Sequence, residues 1–136
     1  MSPITFCAKL SRVLGEQYRM ADALGEEIEA RAVGDVSIVY AGDYLNRLTG
    51  ERVERECKRR LQAGCRALVL NFRDTELVNS IGVSILMGVI DAAQQSSAQL
   101  IFSDVNNHTK NLFEMLGLTR HVSVAADEVD ALAQLL

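Results

Sequence analysis

Along this chain the apolar spacing switches between every second position and every third or fourth, and the switching lays out the fold. Residues 27 to 33 alternate charged with apolar side chains, which places Ile28, Ala30 and Ala32 on one face of a strand. Gly34-Asp35 supplies a turn. The β-branched and aromatic run from Val36 to Ala41 then reads as a second strand, paired with the first as a hairpin and ended by Gly42-Asp43. From about Thr49 to Ala63, Val53, Cys57 and Leu61 recur in a charged background, the stripe of an amphipathic helix closed by Gly64. Glu51 and Arg55, Glu54 and Lys58, and Glu56 and Arg60 each set an acid four positions before a base, the mark of a solvated helix face.

Ala67 to Phe72 is an almost unbroken apolar run, as expected of a central strand covered on both faces. A polar loop from Arg73 to Glu76 leads to a helix over Ser80 to Gln94 with apolar residues on several faces. In it Gly82, Ser84 and Gly88 permit close packing. Gln99 to Ser103 is a fourth strand. Asn106 or Asn107 caps a helix carrying Leu112, Phe113, Met115 and Leu116 and ended by Gly117; His121 to Val124 is a short last strand. Asp127 caps a terminal helix with the stripe Val129, Leu132 and Leu136. Strands alternating with helices predict an α/β fold with a mixed, mainly parallel sheet of about five strands, the first hairpin giving an antiparallel edge.

Residues 1 to 26 stand outside this alternation. Cys7, Leu10, Leu14, Tyr18, Ala21 and Leu24 keep helical spacing after Ser2-Pro3, which predicts an N-terminal helical extension ahead of a domain over residues 27 to 136. Its stripe needs a partner surface, either the sheet face left bare or a second subunit, the latter giving a homodimer through this helix.

Composition narrows the functional classes. With 136 residues, 49% apolar and 24% charged, the chain can bury a core without staples. A formal net charge of −4 with interleaved signs gives no basic field for nucleic acid or an anionic membrane. Apolar stretches are too short to span a bilayer, and the start lacks a signal-peptide pattern. Three cysteines without a Cys-x-x-Cys fit a reducing cytoplasm, and Cys57 on a helix stripe reads as core rather than nucleophile. His108 and His121 have no ligand-spaced neighbours, so neither metal nor cofactor is expected. Dinucleotide, phosphate-loop and nucleophile-elbow motifs are missing, which argues against an enzyme, including a small flavodoxin-like or nucleotide-binding one.

Ser80 differs from these residues. It follows a strand and loop at the start of a helix, a place that lies at the mouth of an α/β sheet. The plain reading is that Asn79 or Ser80 caps the helix, worth about 1 kcal/mol.

From about Glu26 onward the chain resembles the STAS domain, the family of bacterial anti-sigma-factor antagonists and of the cytoplasmic domains of sulfate transporters. The resemblance is carried by Gly42-Asp43, by Ala67-Leu68-Val69-Leu70-Asn71-Phe72, by Leu77-Val78-Asn79-Ser80-Ile81-Gly82-Val83, and by Asn111-Leu112-Phe113-Glu114-Met115-Leu116-Gly117-Leu118. It implies that Ser80 matches the serine that an anti-sigma factor serine kinase phosphorylates in the antagonists. It also implies that the partner docks on Asn79, Ser80, Ile81 and Gly82 together with Asp43, Asn46, Thr75 and Glu76. Asn79 stands where the family has aspartate, Ile81 stands where it has serine or threonine, and a further family acid falls on Leu45 or Asn46. The leading expectation is therefore an anti-sigma-factor antagonist, a non-enzymatic regulator of transcription switched at Ser80. The alternative is a STAS scaffold or accessory subunit of a signalling or transporter complex that docks its partner constitutively.

Overall fold

The computed structural model describes residues 28–135. The helix expected over residues 1 to 26, its role in pairing two copies, and Leu136 lie outside them. The elements follow the expected alternation: β1 (Ala30–Val33), β2 (Val36–Tyr40), α1 (Arg47–Gln62), β4 (Ala67–Asn71), α2 (Ser80–Gln95), β6 (Gln99–Ser103), α3 (Asn107–Met115), β7 (Ser123–Ala125) and α4 (Glu128–Leu135). The sheet has five strands in the order β1-β2-β4-β6-β7, with β1 antiparallel to β2 and the other neighbours parallel. Two short strands, β3 (Tyr44–Leu45) and β5 (Leu77–Val78), form a separate parallel ladder that periodicity did not reveal.

β2 and β4 are buried at every position, because helices cover both faces of the sheet. On one face α1, α2 and α3 enclose Val39, Leu70, Val53, Cys57, Leu86 and Val89. Phe72, Phe102 and Phe113 meet there edge-on or tilted, with ring centroids 5.2 to 5.6 Å apart, and anchor α3 to the ends of β4 and β6. On the other face Ala131 and Leu135 of α4 close over Val36, Ile38, Val69 and Ile101. Ile28 and Ala30 pack on the first core as expected, whereas Ala32 on the same strand is exposed.

Local chemistry sets the helix ends. Asn46 and Thr49 form a reciprocal capping box, so α1 starts at Arg47, two residues before the expected start at about Thr49. At its other end the N–H groups of Gly64 and Cys65 reach back to the carbonyls of Leu61 and Arg60, with Gly64 at φ +97°. Asn106 rather than Asn107 caps α3, accepting the Thr109 N–H at 2.7 Å. Asp127 caps α4 as expected. The last strand lies later than the expected His121 to Val124: Leu118–Arg120 form a 3-10 turn, and β7 begins only at Ser123.

On α1 the expected pairs Glu54–Lys58 and Glu56–Arg60 form, and Arg59 also bonds Glu56. Burial pushes the Glu56 carboxyl up, but the bonds from Arg59 and Arg60 outweigh it and hold the group below its ordinary value of 4.5. A depressed folded value stabilises the protein above the ordinary value and stops doing so as pH falls through the folded one. The stability gap between wild type and Glu56→Gln is therefore expected to be full at about pH 7 and to shrink steadily as pH is lowered below 4.5, followed by urea unfolding over a pH series. A gap that stays constant as pH falls would remove the ion pairs as its source.

Candidate partner-binding surface

The position of Ser80 is set by its neighbours. Asn79, in extended conformation, caps α2 by accepting the N–H of Gly82 on Oδ1 at 2.8 Å. Of the two capping residues the sequence allowed, Asn79 takes the role. Ser80 occupies the first helical position, exposed, and among the described residues its hydroxyl has no hydrogen-bond partner. The N–H groups of Ser80 and Ile81 likewise meet no acceptor among the described residues, so the positive end of the α2 dipole opens at this hydroxyl.

The β3–β5 ladder holds this helix start in place. Tyr44 pairs with Leu77 and Leu45 with Val78, and β5 runs through Asn79 directly into α2. The Leu45 carbonyl accepts the Asn79 N–H at 3.0 Å. It lies so close to α2 that a Cβ on Gly82 would sit 2.4 Å from it, which only glycine avoids. The loop before β5 is tied on both sides. Asp43 accepts the Glu76 N–H at 2.8 Å. The Thr75 hydroxyl donates to Gly42 at 2.5 Å, and Asn106 donates to the Thr75 carbonyl at 3.1 Å.

These contacts sort the residues singled out from the sequence. Asp43, Glu76, Ser80 and Ile81 are exposed together around the helix start. Asn46 and Asn79 are half-buried and spend their side chains on caps. Thr75 and Gly82 are buried beneath the surface and shape it. Sequence reasoning missed three apolar side chains. Tyr44 (40% exposed), Leu48 (56%) and Leu77 (57%) join Ile81 (46%) as large hydrophobic residues left in water. The paired positions of Tyr44 and Leu77 put them on one side of the short ladder, while Leu48 and Ile81 lie in the first turns of α1 and α2. Exposed apolar side chains on the ladder and helix starts that hold Ser80 are the kind of surface a protein interface uses. The signal available was Leu77, which follows a polar loop with no helical or strand period to bury it.

Other chemistry-bearing residues do not gather here. Burial pushes the Cys57 thiol far up, so it stays protonated in the core. Among the described residues no group of three or more His, Cys, Asp or Glu could hold a metal ion. No helix among them is long and apolar enough to cross a membrane. A cavity of about 390 Å³ lies towards the opposite end of α2, against Ile90, Gln94, Arg120 and His121, and includes none of the residues around Ser80.

A mainly parallel sheet covered by three helices on one face and one on the other, with its second helix opening at an unpartnered serine, defines a small class of α/β domains. The chain belongs to the STAS domain family, whose model matches residues 27–131. It is 26% identical over 110 residues to the anti-sigma F factor antagonist of Paenibacillus polymyxa, covering 80% of this chain and 94% of that one. Among solved structures it is similar to an anti-sigma factor antagonist from Mycobacterium paratuberculosis, with a TM-score of 0.70 at 18% identity over 79% of this chain and 91% of that one. The Bacillus cell-fate determinant SpoIIAA in its phosphorylated form matches with a TM-score of 0.65 at 15% identity, over 80% of this chain and 99% of that one.

Proposed function

We propose that this chain is an anti-sigma-factor antagonist, a non-enzymatic cytoplasmic regulator that binds an anti-sigma factor kinase through the surface around Ser80. Phosphorylation of Ser80 releases the partner. The observation that carries this reading is the exposed Ser80 hydroxyl, left without a partner because Asn79 does the capping. Relatives named as antagonists, and one solved in a phosphorylated form, support it.

Transfer of the γ-phosphoryl group of ATP to Ser80 Oγ forms one P–O bond, breaks the bond to ADP, and sends the hydroxyl proton to a base. The product adds about 1.5 to 2 negative charges. The N–H groups of Ser80 and Ile81 and the helix dipole stabilise that charge in the free protein. Docked against an apolar face, the same dianion loses its water without gaining a counter-charge. Asn79 supplies the cap but no carboxylate, so phosphorylation here is slower than with aspartate in its place.

The test incubates the protein with ATP and each anti-sigma-type kinase of the same genome, and maps phosphate by mass spectrometry. Phosphate is expected on Ser80, absent in Ser80→Ala and accumulating faster in Asn79→Asp. Tight binding with no phosphate on Ser80 in any variant would overturn the switch and leave a constitutive scaffold, the reading that Ile81 and the apolar rim favour.

A further inference from the structure

On the sheet face opposite Ser80, one carboxylate gathers three donors. Glu128, at the first position of α4, accepts from the Tyr40 hydroxyl at 2.7 Å and from Asn71 Nδ2 at 3.2 Å on Oε1, and from Arg31 on Oε2. Arg31 Nε also donates to the Tyr40 oxygen at 3.3 Å. Tyr40 and Asn71 are 6% and 2% exposed, so two of the three donors are buried residues of the sheet, while Arg31 closes the cradle from the surface. A buried amide must find partners at both ends, and Asn71 does. Its Nδ2 faces Glu128, and its Oδ1 accepts the Arg73 N–H at 2.7 Å.

Asn71 is the last residue of β4, and Arg73 opens the loop that runs to Ser80. The Arg73 side chain lies over the Tyr40 ring, 4.3 Å from its centroid, and so touches the same cradle. The far half of the loop has its own ties at Thr75 and Glu76, whereas at the corner the Arg73 N–H is held by Asn71 and its side chain lies on Tyr40 and pairs with Glu29 and Asp74 at the surface. We propose that Glu128 is a positioning residue for the partner-binding loop: by fixing the Asn71 amide and the Tyr40 ring, it sets the corner at Arg73 from which the loop to Ser80 departs. The C-terminal helix and the docking loop are then one cooperative unit joined across the end of the sheet. Its link to partner affinity rests on the function proposed above; its link to the loop does not.

Amide hydrogen exchange on the free protein tests the coupling without any partner. In Glu128→Ala, the Arg73 amide is expected to lose about tenfold in protection relative to Val69 and Leu70 of β4, with a smaller loss at Thr75. Glu128→Gln keeps an acceptor for Tyr40 and Asn71 and is expected to restore most of it. A helix that merely anchors itself would expose amides of residues 126 to 135 and leave Arg73 unchanged, which would overturn the proposal. So would equal loss in the Gln and Ala variants, since the acceptor would then be irrelevant. Neither result touches the assignment of Ser80, which stands or falls on phosphate mapping.

Discussion

Ser80→Asp is expected to weaken binding to the anti-sigma factor by about 100-fold or more while leaving the isolated protein as stable as before or slightly more so. The two effects have opposite signs because the same charge meets two environments. In the free protein, an acid at the first position of α2 faces the N–H groups of Ser80 and Ile81 and the positive end of the helix, worth about 0.3 to 1 kcal/mol. In the complex, a partner docked on the exposed apolar side chains Leu77 and Ile81, which flank Ser80 in the chain, would strip water from that charge. Stripping water from an unpaired carboxylate costs several kcal/mol, and about 1.4 kcal/mol is tenfold in affinity. Ser80→Ala removes an unpartnered hydroxyl and should change both quantities little. Titration calorimetry with thermal unfolding of the same variants reads both signs. Wild-type affinity in Ser80→Asp would move the interface away from this helix start.

Gly82→Ala is expected to destabilise the domain by about 2 kcal/mol, against the direction that helix propensity alone gives. In an open helix, alanine in place of glycine gains about 1 kcal/mol. Here the new Cβ would stand 2.4 Å from the Leu45 carbonyl oxygen, a main-chain atom with no rotamer to retreat into. Relief requires β3 to move off α2, which strains the bond from the Asn79 N–H to Leu45 and the pairing of Tyr44 with Leu77. The same shift displaces two of the apolar side chains around Ser80, so binding should fall with stability. Urea unfolding gives the first quantity and the Leu77 amide exchange rate reports the ladder. A variant more stable than wild type would show that β3 yields freely and that the close approach is incidental.

The main sheet was legible because its strands are long enough, or buried enough, to imprint a pattern. Val36 to Ala41 and Ala67 to Phe72 read as strands from composition alone, and Val53, Cys57 and Leu61 marked the buried stripe of α1 that the structure shows. The β3–β5 ladder escaped because two residues per strand carry no period, so neither Tyr44 nor Leu77 could be placed. Thr75 looked like a surface residue of a polar loop. Its hydroxyl is instead spent on the Gly42 carbonyl, a partner 33 positions away that only chain folding brings near. Glu128 carried no signal in the sequence for the same reason: Arg31, Tyr40 and Asn71 come from three separate strands or strand ends.

By itself, then, the sequence determined the alternation of strands and helices, the mainly parallel α/β class, and the place of Ser80 at a helix start. Each of these follows from local spacing and from short-range capping chemistry, which act between residues a few positions apart. Only the tertiary structure decided that Asn79 does the capping and leaves the Ser80 hydroxyl free, that Tyr44, Leu48, Leu77 and Ile81 stay exposed, and that Gly82 lies under a carbonyl. Those facts depend on which distant segments meet, and burial and hydrogen-bond satisfaction across the whole fold select that arrangement.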